Sequence, residues 1–233
     1  MVKKEKILQQ LASDIPYAGP TLQFRSPFQL LIAAMLSAQC TDKQVNKITA
    51  RLFAKYSKPE EFAALDQEQL AAEIRGCGLH RTKSLHIIQA CRKLVEKYGG
   101  RVPDTLAELQ SLPGVGRKTA NVVLSQAFGK PAFPVDTHIY RVSRRLGLSA
   151  GNTPRQVEKD LTGLLPANDF GVWHHRLIAF GRSTCTARKP RCTSCSVALY
   201  CAYRQHKKQE QDEGSIGKSA SCSGTTRDTR QCR

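Results

Sequence analysis

The chain has 233 residues, enough for one large domain or two small lobes with a shared interface. Hydrophobic residues make up 40%, sufficient for a packed core, while the longest apolar run, residues 28–36, is broken by Gln29 and too short to span a bilayer. Lys and Arg number 36 against 19 Asp and Glu, and +15 of the formal +17 falls on residues 1–205, so the folded body faces a polyanion.

The opening segment MVKKEKILQQLASD is basic and then polar, without the apolar core or cleavage site of a signal peptide, which predicts a cytoplasmic protein with no membrane partner. Ser26 and Pro27 offer an N-cap and a first-turn proline, and Phe28, Leu30, Leu31, Ile32, Met35 and Leu36 then cover nearly every face of a buried central helix. Thr41 or Asp42 caps a second helix with Val45, Ile48, Leu52 and Phe53 on one side. Asp66 and Gln69 predict a capping box before Leu70 and Ile74. A longer helix should turn Leu85, Ile88, Cys91, Leu94 and Val95 inward and close at Gly99-Gly100.

Leu106, Leu109 and Leu112 mark a short helix that stops at Pro113, and residues 121–128 continue another, ended by Gly129. Asp136 caps a helix over residues 137–146 that Gly147 stops; Thr153, Pro154 and Gln156 open the next, and residues 173–180 form the last. No alternating strand pattern is present, so the predicted class is all-α. Residues 206–233, rich in Gly, Ser, Thr and charge, are expected to be disordered.

The stretch Leu112-Pro113-Gly114-Val115-Gly116-Arg117-Lys118-Thr119 holds the most local information. Gly114 and Gly116 permit a tight reversal and let a phosphate approach the backbone, and the amides that open the next helix point outward at the positive end of its dipole. A hairpin of this kind, over about residues 107–126, grips a DNA backbone without reading sequence. The competing reading is an ordinary Pro-Gly turn between core helices. Residues 75–83 echo it with two glycines one residue apart, as two similar turns.

Lys118 stands in the first turn of the hairpin's second helix, where the dipole, Arg117 and partial burial would each oppose an ammonium charge and favour a neutral amine nucleophile. A phosphate-binding lysine is its rival. Asp136 reads first as an N-cap, and a capped carboxylate stays ionised, able to stabilise positive charge on a sugar. Nothing in the spacing of His138, His174 or His175 assigns them chemistry.

Cys185, Cys192, Cys195 and Cys201 fall within seventeen residues, whereas Cys40, Cys77, Cys91, Cys222 and Cys232 are scattered. Zinc sites usually pair two short knuckles, and only the middle pair here has that form; the wide outer spacings suit an iron–sulfur cube better. Arg182, Arg188, Lys189 and Arg191, interleaved with the cysteines, would present charge to a phosphate backbone.

In order along residues 26–203 stand S-P-F-x-L-L-I-A-x-x-L-S-A-Q, L-P-G-V-G-R-K-T-A-N-V-V, V-D-T-H and the cysteine quartet. Together they resemble the endonuclease III family of helix-hairpin-helix DNA glycosylases. The resemblance implies a base-excision enzyme that removes oxidised pyrimidines from duplex DNA and cleaves abasic sites by β-elimination. It assigns the Schiff-base nucleophile to Lys118, the carboxylate to Asp136, and a [4Fe-4S] cluster to the four cysteines. It places Gln39 and Leu79 in loops that wedge into the duplex, and Gly114, Val115, Gly116, Arg117 and Thr119 against the DNA.

The same resemblance implies a helical barrel over residues 21–131 and a second lobe built from 1–20 plus 132–205, with the cluster loop at 185–201. A bacterial, monomeric protein associated with the nucleoid is expected. Two other readings stand beside it. An adenine-removing mismatch glycosylase shares the cluster and aspartate but typically lacks a lysine at position 118 and carries a further recognition domain. A non-catalytic, redox-sensing DNA-binding protein would need neither Lys118 nor Asp136.

Overall fold

Most helix starts in this chain are decided by one side chain and the few amides that follow it. The computed structural model describes residues 2–17 and 19–206; Cys222, Cys232 and nearly all of the tail expected to be disordered lie outside them. Helix α1 (Val2–Asp14) buries Ile7 and Leu11. Ser26 opens α2 (Pro27–Leu36) by accepting the Gln29 amide at 3.2 Å, and eight of the ten residues of α2 are buried. Thr41, rather than Asp42, caps α3 (Asp42–Lys55).

The short α4 (Pro59–Ala63) has no apolar period long enough to announce it. Its first turn is held by the Glu61 carboxylate, which accepts the Ser57 and Lys58 amides. Asp66 caps α5 (Gln67–Glu73), but Gln69 does not complete the expected box; its amide reaches the Tyr56 hydroxyl at 3.4 Å. In α6 (His80–Tyr98) the inward face differs from expectation. Leu85 is exposed, and Lys83, Ser84 and Ile87 are buried with Ile88, Cys91 and Leu94. The reason is tertiary: α6 lies against α2, α4 and α5, and those three neighbours select a wider face than periodicity does.

Helix α7 (Leu106–Gln110) leads through the Pro113 turn into α8 (Arg117–Ala127). Asp136 caps α9 (Thr137–Leu146), which ends at Gly147 with φ 77°. Thr153, Pro154 and Gln156 open α10 (Pro154–Leu164) as expected, with Thr153 and Gln156 forming a capping box, and a 3₁₀ turn, Ala167–Asp169, precedes α11 (Phe170–Ser183), which starts earlier than its apolar pattern indicates. All the helices and turns among the described residues fit the all-α class; the sole β pairing there is an isolated bridge between Arg75 and Cys77.

These helices enclose two hydrophobic cores. The first draws on residues 28–124, with α2 packed among α3, α6 and α8. The second joins Ile7 and Leu11 of α1 to residues from Phe133 through Cys201, with α9 and α11 at its centre. The two glycine turns that echo each other each lead into a helix, but the chain enters α6 through Leu79 in the left-handed region and α8 through an extended Gly116.

His174 anchors the second core. Only 4% exposed, it donates from Nδ1 to the Pro134 carbonyl at 2.9 Å and meets the Phe133 ring edge-on. Burial, reinforced by the neighbouring His175, pushes its pKa down to about 4 from the ordinary 6.5. Between those values the unfolded chain binds a proton that the folded chain does not, so stability should be full above about 6.5 and fall as the pH drops toward 4. Denaturant midpoints measured across that range check the slope, and His174→Gln should remove its share. Leu11, fully buried, supplies a second test: Leu11→Ala should lower stability by about 2–5 kcal/mol, and a loss under roughly 1 kcal/mol would detach α1 from the core.

Candidate active site

The two cores meet at a cleft where Lys118 and Asp136 come together. Both line a cavity of about 270 Å³ with Asp42, His175 and Arg182, and both line a neighbouring cavity of about 610 Å³ with Gln39 and His138. Lys118 comes from the start of α8, on the first core. Asp136 comes from the start of α9, on the second, and its carboxylate accepts the Ile139 amide at 2.8 Å. Capping and pocket lining are thus compatible in one side chain.

The surroundings of Lys118 differ from expectation in two respects. Lys118 is exposed at the cleft rather than partly buried as anticipated. Arg117 is not a free neighbouring charge either, because its guanidinium grips Glu158 of α10 through two bonds of 2.8 and 2.7 Å. The dipole of α8 remains as the feature opposing a charge there. The Lys118 amine makes no hydrogen bond or ion pair among the described residues.

Two further residues of the site have no local sequence signature. Asp42 accepts from the Thr21 hydroxyl at 2.8 Å and from Arg182 at 3.1 Å. Burial works against its charge, but those bonds and the charges of Arg182 and Lys118 hold its carboxyl below the usual range. Arg182, expected among the phosphate contacts of the cysteine loop, is turned toward the cleft by this pair. The Asp42–Arg182 contact joins residues 140 apart, beyond any local pattern. His174 is the third omission: by holding Pro134 it fixes the segment that carries Asp136.

The hairpin is built as anticipated at Gly114 and differently at Gly116 and Val115. Gly114 has φ 75°, and an added Cβ would stand 2.7 Å from that of His86, so both conformation and packing demand glycine. At Gly116 neither does: φ is −83° and an added Cβ would meet nothing within 4 Å. Space kept open there faces outward. No side chain caps α8, which leaves its first amides without a side-chain acceptor. Val115 is buried in the first core and its amide is bonded to the Leu112 carbonyl, so neither is offered to a ligand. Thr119 faces the smaller cavity rather than the hairpin surface.

Gln39 and Leu79 are the non-glycine residues with positive φ among those described, at 53° and 58°. Both are exposed, Leu79 to 58%. Their loops touch: a Cβ on Gly78 would stand 3.2 Å from the Gln39 carbonyl.

All four clustered cysteines are free thiols lining one pocket, walled by Leu146, Phe180, Pro190 and Tyr203. Arg141 and Arg145 of α9 tie the loop down through the carbonyls of Gly181, Cys185, Thr186 and Ala187, and Arg145 also reaches the Cys185 sulfur at 3.7 Å. Arg188, Lys189 and Arg191 are exposed on the rim. Among the described residues, no three His, Cys, Asp or Glu side chains converge as they would on a single metal ion.

Known proteins share this fold. Residues 32–167 match the HhH-GPD superfamily of base excision DNA repair proteins. Endonuclease III of Bacillus subtilis (strain 168) is 46% identical over 198 residues, which cover 84% of this chain and 90% of that protein. A non-covalent endonuclease III–DNA complex superimposes with a TM-score of 0.84 at 45% identity, over 90% of this chain and 99% of that one. A trapped endonuclease III–DNA covalent intermediate gives the same score and identity over 89% and 99%. With the hairpin, the lysine and the carboxylate held in one cleft on a matching fold, the chain belongs to the HhH-GPD superfamily of base excision DNA repair proteins, among the endonuclease III enzymes.

Proposed function

We propose that the chain is a bifunctional DNA glycosylase and abasic-site lyase that removes oxidised pyrimidines from duplex DNA. The observation that carries this reading is the meeting of an unpaired lysine amine and a helix-capping carboxylate in one cleft beneath an uncapped hairpin helix. Hydrolysis by an activated water needs no such lysine. The hairpin would take the DNA backbone at Gly116 and the open amides of α8, with Arg188, Lys189 and Arg191 as further phosphate contacts. Gln39, which lines the cleft, and the exposed Leu79 of the adjoining loop would fill the space left when the damaged nucleotide turns out of the stack.

In the reaction, the Lys118 amine, once deprotonated, attacks the sugar carbon that bears the base. The bond to the base breaks and its electron pair leaves with the base. Asp136 stabilises the positive charge that develops on the sugar. Ring opening gives a Schiff base, and loss of a neighbouring proton then expels the 3′ phosphate, which nicks the strand.

The cysteine pocket fits a [4Fe-4S] cluster held by Cys185, Cys192, Cys195 and Cys201. Four thiols line one pocket, and their wide outer spacings in the chain suit a cube better than the paired short knuckles of a zinc site. Bound there, the cluster would supply covalent cross-linking of the loop, and no step of base removal passes through it. We read the two cores as lobes at 21–131 and 1–20 plus 132–205, acting as a monomer in the cytoplasm. No helix among the described residues is long and apolar enough to cross a membrane.

Borohydride trapping on abasic-site DNA tests the covalent route. Lys118→Gln should abolish the trapped adduct and nearly all strand cleavage while leaving fold and DNA affinity intact, because Gln lacks a basic lone pair. A trapped adduct from that variant would refute the assignment. Asp136→Asn keeps the cap on Ile139, so stability should change little while base removal slows by on the order of a hundredfold. On a pre-formed abasic site the same variant should retain more activity.

Metal analysis of the purified protein should return about four iron and four sulfide per chain with a brown colour. Stoichiometric zinc and no visible absorption would be the opposing result.

A further inference from the structure

Lys83 is a charge that the mechanism leaves unused. Only 7% exposed, it sits in the first turn of α6, and its ammonium donates to the Leu36 carbonyl at 2.8 Å and the Ala38 carbonyl at 2.6 Å. Leu36 is the last residue of α2, so the ammonium meets the negative end of that helix. Ala38 immediately precedes Gln39.

No carboxylate among the described residues shares this position. The groups facing the ammonium are the thiols of Cys40 and Cys77, whose sulfurs stand 3.6 Å apart. Burial, with the Cys40 contact, pushes the Cys77 thiol up to about 11, so it offers no anion near neutral pH. Burial likewise lowers the pKa of Lys83 itself. A buried ammonium balanced only by carbonyl dipoles is expensive to retain, and a methionine of similar length would fill the same volume without that desolvation.

What the ammonium does is join two loops. One end of its side chain belongs to the helix that Leu79 opens, and the other is bonded on the near side of Gln39. Leu79 and Gln39 are the two non-glycine residues held in the left-handed region among those described, a strained conformation that persists only where its surroundings enforce it. We propose that Lys83 is a positioning residue, which sets Gln39 and Leu79 as one rigid pair and so governs how readily a base is extruded toward the cleft. The proposal rests on the glycosylase reading for its kinetic consequence but not for its structural one.

The test uses full-length Lys83→Met with two readouts. In single-turnover assays on duplex DNA holding one oxidised pyrimidine, base removal should fall by on the order of ten- to a hundredfold. Cleavage of the same duplex carrying a pre-formed abasic site, where no base has to be extruded, should change by less than about threefold. Hydrogen exchange should accelerate at residues 37–41 and remain slow at the centre of α2.

An equal fall on both substrates, accompanied by general loss of protection, would reduce Lys83 to a core residue and overturn the proposal. Unchanged exchange at residues 37–41 would overturn it as well. Should the methionine variant not fold, Lys83→Gln, which keeps one donor, must show the same separation to a smaller degree. If the unsubstituted protein forms no borohydride-trapped adduct, the glycosylase reading fails, while the exchange measurement still decides the role of Lys83.

Discussion

The Arg117–Glu158 pair joins the first turn of α8, on one core, to α10, on the other. Everything the cleft does depends on registration of that kind, since Lys118 and Asp136 come from different cores. A half-exposed ion pair contributes little free energy, about 1 kcal/mol or less. Two parallel bonds, however, fix direction as well as distance. The Asp42–Arg182 contact and the bond from Asn121 to the Phe133 carbonyl repeat the same crossing elsewhere along the cleft. Neither core can therefore shift without disturbing polar contacts beside the lysine.

Features settled within a few residues were legible in the sequence. Ser26, Thr41, Asp136 and Thr153 cap the helices they were expected to cap, because an N-cap is a local contest between a side chain and nearby amides. Gly147 ends α9 for the same local reason. The quartet of cysteines and the hairpin glycines were equally plain, being matters of spacing.

What eluded sequence reasoning depends on partners far along the chain. Leu85 belonged to the inward face expected of α6 and Lys83 did not; three neighbouring helices reversed both. Arg117 and Arg182 read as surface charge because Glu158 and Asp42 lie 41 and 140 residues away. Val115 was expected against the DNA with the rest of the hairpin; its side chain packs into the first core as the hairpin's anchor. His174 carried no signal, since a histidine that serves as a carbonyl clamp looks locally like any other.

The second core takes its first two members from α1 and the rest from beyond residue 132, with the whole first core between them in the chain. During synthesis, Ile7 and Leu11 emerge well before the helices that will cover them. At about 5–20 residues per second, the wait until Cys201 emerges is on the order of ten to forty seconds. The first core, drawn from one continuous stretch, can fold in that interval and present a finished body on which the rest docks. Birth order on the ribosome thus assigns the two halves of the cleft different histories: the lysine's wall is standing before the carboxylate's wall can close against it.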